Sequence, residues 1–131
     1  MLDDAAAARM RDAFDIIEEA YEFMLAYAAQ GRKSEESKSS GPSQIRQFLM
    51  RFRAATQDLV DVLERLRDDG GGVEFRQRWL DDARGIRSVI DLLLAQPSIS
   101  SEMIDNTNGL IVMRSFLTDL FFADHVMLPV R

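Results

Sequence analysis

The sequence predicts an all-α protein, an antiparallel four-helix bundle with a long flexible loop between its first two helices. Three observations carry this expectation. Apolar residues recur at alternating steps of three and four, the spacing of a helix that packs along one face rather than the alternation of a strand. Glycine, proline and polar joints divide the chain into four segments of roughly 22–28 residues, each about 33–42 Å long as a helix. No repeat of roughly 33–47 residues, the period of helical solenoids, runs through the chain.

The first segment, residues 3–30, contains neither glycine nor proline, and Gly31 follows as a stop. Its seam is Met10, Phe14, Ile17, Tyr21, Met24 and Ala28, and a second row, Ala13, Ile16, Ala20, Phe23 and Tyr27, lies about 100° round the same cylinder. Together they form an apolar face about 200° wide, with Asp12, Asp15, Glu18, Glu19 and Glu22 opposite. Residues 31–42 hold no apolar side chain, so the stretch has nothing to bury against its ordering entropy and reads as a mobile linker.

The second segment begins at Pro42-Ser43 and runs to Asp69, with Ile45, Phe48, Phe52, Ala55, Leu59, Val62 and Leu66 as an unbroken heptad. Gly70-Gly71-Gly72 ends it. The third covers Val73 to Gln96, its seam Phe75, Trp79, Ala83, Ile86, Ile90 and Leu93, and Pro97 stops it. Arg78–Asp82 and Arg87–Asp91 stand four residues apart as surface ion pairs, and Gly85 in mid-helix suggests a close backbone approach. The fourth reads as one helix over about 100–124, capped by Ser98, Ser100 or Ser101 and bent or interrupted near Asn108-Gly109. The β-branched pair Ile111-Val112 leaves a short strand as the weaker option. Apolar residues cover more than half of this last cylinder, which marks it as the most buried helix, and residues 125–131 form a fraying tail.

At 131 residues the chain suits a single helical-bundle domain spanning 1–131. It carries no cysteine, which removes thiolate metal ligands and thiol nucleophiles. Its net charge of −6 gives no long-range attraction to phosphate backbones, so no nucleic-acid partner is expected. Most of that charge lies on the first segment, where seven acids face two arginines. No apolar run approaches the roughly 18 residues of a membrane span, and the acidic start does not resemble a signal peptide, so the expectation is a cytoplasmic protein with no membrane contact.

Catalytic and metal chemistry find little footing. A di-iron bundle needs Glu-x-x-His on two helices, whereas the lone histidine, His125, follows Asp124 in the tail. That also removes a His-paired nucleophile, and Gly70-Gly71-Gly72 lacks the lysine of a phosphate loop. No catalytic residue, metal or cofactor is expected. An enzyme working through carboxylates alone is the third reading.

The first reading is a non-enzymatic protein-interaction module: an assembly factor, adaptor or chaperone-like homodimer that docks another protein. It rests on a surplus of apolar circumference, more than a solitary bundle covers. Phe23, Tyr27, Phe121 and Phe122 would supply the apolar face, and Asp15, Glu18, Glu19 and Glu22 an acidic strip for a basic partner. The second reading is a small-molecule sensor or ligand-binding bundle, with Tyr21, Trp79 and Arg114 lining a pocket between helices. Arg114 stands in the most apolar stretch, where a buried guanidinium would need an anion such as Asp119, Glu102 or a carboxylate of the first helix.

Overall fold

The computed structural model describes residues 2–36, 41–67 and 70–128. They form five helices and, among the described residues, no strand: α1 (Asp4–Ala29), α2 (Gln44–Arg65), α3 (Val73–Leu94), α4 (Ser101–Asn108) and α5 (Ile111–Val126). Side chains that satisfy the first free N–H groups set three of the starts. Asp3 accepts from Ala6 N–H at 2.7 Å, Ser43 from Arg46 N–H at 3.4 Å and Ser100 from Met103 N–H at 3.2 Å. Gly31 after α1 and Gly72 before α3 take left-handed backbone, at φ 65° and 71°, which explains glycine at both turns.

The last segment is interrupted at Asn108-Gly109, the place the sequence marks, and forms two helices. α4 closes at Gly109, Leu110 is extended, and α5 starts without a side-chain cap. Ile111 and Val112 form the first turn of α5, not a strand. The break lets the two pieces serve different neighbours: α4 packs on α1, and α5 packs on α3. The expected extension of α2 to Asp69 stops at Arg65, and Asp68 and Asp69 lie outside the described residues.

α1 also packs on α2, and α2 on α3. The start of α1 meets the end of α2 through Arg9 and Asp58, while Phe23 near the end of α1 stacks on Phe48 near the start of α2. Across the core, Phe14 of α1 lies 5.9 Å from Trp79 of α3, and Phe52 of α2 lies 6.3 Å from Phe116 of α5, measured between ring centroids. Trp79, Phe14, Phe52 and Phe116 are the largest wholly buried side chains and fill the middle of one hydrophobic cluster.

Two expectations change here. The surface pairs on α3 give way to contacts between helices: Arg78 reaches Asp119 of α5, Asp91 takes Arg53 of α2, and Arg87 donates to Gln57. The tail is not wholly frayed, because His125 and Val126 continue α5 and Leu128 is buried against the core; residues 129–131 lie outside the described residues.

Gly85 does mark a close approach. A Cβ built there would stand 3.3 Å from Cγ2 of Val112 at the start of α5. Gly→Ala inside a helix is worth about 1 kcal/mol on its own. Gly85→Ala should therefore gain little alone and regain about 1 kcal/mol in a Val112→Ala background, a coupling readable from a double-mutant cycle in urea.

Candidate interaction surface

The two ends of the helix assembly differ in chemistry. Where α1 ends and α2 begins, polar groups close the structure. Glu35, from the segment expected to be a mobile linker, takes Nε and Nη2 of Arg46 at 2.8–3.0 Å, the Ser43 hydroxyl, and the Ile99 N–H at 2.9 Å. Arg46 also donates to the carbonyls of Leu94 at 2.9 Å and Gln96 at 2.6 Å, satisfying the open end of α3. Ser101 joins the same region to α1 by donating to Tyr27 O at 2.6 Å and accepting from Arg32 N–H at 2.8 Å. Hydrogen bonds, not apolar burial, thus hold residues 32 and 35, and residues 37–40 lie outside the described residues.

Burial works to raise the Glu35 carboxyl, but the Arg46, Ser43 and Ile99 hydrogen bonds outweigh it and hold the group below its ordinary value. Tyr27 is driven the other way, by burial and then by the Glu35 charge, and its hydroxyl donates to Ile99 O.

The opposite end is apolar. Leu66 beyond α2, Phe75 of α3, Phe122 and Val126 of α5, Met127 and Leu2 line a cleft of about 430 Å³, with the Gly70–Gly72 turn and Arg67 and Arg76 at its edge. Phe122 meets Phe75 edge-on at 5.1 Å, and Arg78 lies over the same Phe75 ring at 5.8 Å. Phe121 is 50% exposed, Phe122 54% and Val126 59%, a large apolar area for one helical turn and a half. α5 is therefore not the most buried helix: its inward side holds Met113, Phe116, Leu117 and Leu120, and its outward side is left uncovered at this end.

The residues singled out from the sequence separate accordingly. Phe121 and Phe122 are on the surface, as the interaction reading requires. Tyr27 is not: it is buried by the α3–α4 connection, so it offers no docking surface. Phe23 is half-buried by Phe48, at 4.2 Å between centroids, and lies at the polar end, about 30 Å of helix away from Phe122. The four aromatics do not make one face. The wide apolar side of α1 is taken up mainly by α2 and α4. Asp15, Glu18, Glu19 and Glu22 are all exposed along α1.

Tyr21, Trp79 and Arg114 do not form a pocket. Trp79 has no exposed surface and is packed between Phe14 and Phe75, while Arg114 is exposed and needs no buried anion. Tyr21 is half-buried on α1. The buried acid of this stretch is instead Asp119, whose partner is Arg78. His125 is exposed, bonded through Nδ1 to Phe121 O at 2.9 Å, and no three His, Asp or Glu side chains among the described residues are grouped to hold a metal ion. Likewise, no helix among the described residues is long and apolar enough to cross a membrane.

Periodicity assigns Phe75 to the core seam and gives no local sign of Leu2 or Val126. Only the pairing of chain ends brings these to the Phe122 cleft. No known protein family, curated protein or solved structure matches the chain.

Removing Glu35 leaves Arg46 and the Ile99 N–H without their acceptor. Glu35→Ala should cost about 2–4 kcal/mol in urea unfolding. Because the folded carboxyl is held low, that contribution is present above the ordinary Glu value and fades as pH falls through the folded one. The gap between wild type and variant should narrow at acid pH.

Proposed function

We propose that the chain is an up-and-down antiparallel four-helix bundle whose fourth rod is α4 and α5 together, and that it works as a non-enzymatic protein-interaction module. The observation that carries this reading is the uncovered apolar end, where Phe121, Phe122 and Val126 stand more than half-exposed or close to it beside an apolar cleft. Exposed aromatic side chains around a hollow are the usual anchors of protein interfaces. In this reading the occupant is a second copy of the chain, since a two-fold axis beside α5 brings the Phe121–Phe122–Val126 patch against itself and covers both copies at once. The carboxylates of α1 are exposed, as an electrostatic contact between an adaptor or assembly factor and a basic partner requires.

The small-molecule reading has its own support, moved to a different place. A cleft of about 430 Å³ falls within the range of ligand pockets, and its apolar floor with Arg67 at the edge suits an acyl chain ending in an anion. Decanoate should then raise the melting temperature of the wild type and leave a Phe122→Asp variant unmoved.

Sedimentation velocity from low to high micromolar tests the first reading. The wild type should shift from monomer to dimer, and Phe121→Ser with Phe122→Ser should remain monomeric at unchanged helicity, because exposed positions cost little stability. A wild type that is strictly monomeric at high micromolar removes the dimer.

A further inference from the structure

The α3–α5 seam contains a buried carboxylate whose surroundings are unfavourable to its charge. Asp119 of α5 is 4% exposed. Its Oδ1 accepts from Nη2 of Arg78 at 2.6 Å, but Oδ2 is buried with no hydrogen-bond donor among the described residues. Asp82, one turn along α3 from Arg78, accepts from the hydroxyl of Ser115 at 2.6 Å, one turn before Asp119 on α5, so the two carboxylates lie on adjoining turns of the same seam. Two ionised carboxylates at that range repel, whereas a pair sharing one proton makes a short hydrogen bond.

We propose that Asp82 and Asp119 form a one-proton latch across the α3–α5 seam, which closes the two helices on each other when the proton is held and loosens α5 when the proton is released to water. Arg78 does not remove the need for that proton. Its side chain is 62% exposed, so water screens its charge, and it reaches only one of the two Asp119 oxygens. The charged groups that act on Asp119 are Arg78 and Asp82, both from α3. On the neighbouring turn α2 meets α5 through the Phe52–Phe116 ring pair.

The balance favours the proton. Burial first, then the Asp82 hydrogen bond and charge, push Asp119 up to about 6 against the pull of Arg78. The folded value lies above the unfolded one, so the latch contributes stability fully at pH below about 3.8 and loses it as pH rises through about 6. The consequence is local, because the repulsion falls on one seam. Helix α5 should open more often than α2 or α3 at neutral pH.

Side-chain carboxyl NMR on the intact wild-type chain tests this first, since it requires no substitution. Asp119 should titrate between pH 5 and 7, and its midpoint should fall by about one unit or more in Asp82→Asn, where the like charge is gone. Asp119→Asn, which imitates the protonated acid, should raise hydrogen-exchange protection of residues 111–126 at pH 7.5 by about tenfold over wild type, with little difference at pH 4.5. A wild-type Asp119 that titrates below pH 4.5 overturns the latch. So does an α5 whose protection relative to α2 is the same at pH 4.5 and 7.5.

Discussion

Helix α5 has more apolar circumference than its neighbours cover, and much of the molecule's character follows from that constraint. Met113, Phe116, Leu117 and Leu120 bind it to the core, so it cannot turn its other side away from water. Phe121, Phe122 and Val126 consequently emerge at the surface beside Phe75 and Leu66. A helix with apolar residues on several sides is stable only where something lies against each of them. Here α3 covers one side along its length, and the end is left open.

The same crowding bears on how the last segment divides into α4 and α5. The wide apolar face of α1 also needs covering, and α4 supplies this while α5 lies on α3. The Asn106–Gly109 stretch, poor in helix propensity, is where the chain changes course between the two. Gly85 then allows Val112, one turn later, to approach α3 closely. The opposite end of the molecule is fixed by other means. Glu35 and Arg46 join the first connection, the start of α2 and the end of α3 through directed hydrogen bonds, in a stretch where apolar burial has nothing to offer.

Much of the helical content was legible in the sequence because the three-and-four spacing of Phe48, Phe52, Leu59 and Leu66, or of Phe75, Trp79 and Ile86, admits no other regular structure. Caps and glycine stops located the ends to within a few residues. The surface was less legible. Periodicity assigns a residue to a face but does not say which neighbour covers that face, so Tyr27 read as free surface when α3–α4 backbone lies over it, and Trp79 read as a pocket wall when two phenylalanines enclose it. Glu35 and Asp119 were hidden for a related reason. Each draws its partners from residues far along the chain, and an isolated acid in a polar linker or in an apolar helix carries no local sign of them.

Whether the exposed end of α5 is a docking surface is decided most directly by hydroxyl-radical footprinting of the intact chain over a range of concentrations. Phe121 and Phe122 should oxidise readily in dilute solution and become protected as the concentration rises, while buried Phe14 and Phe116 stay protected throughout. Slow oxidation of Phe121 and Phe122 at every concentration would mean that the chain itself covers this end. Rapid oxidation that does not change with concentration would mean that no second copy does.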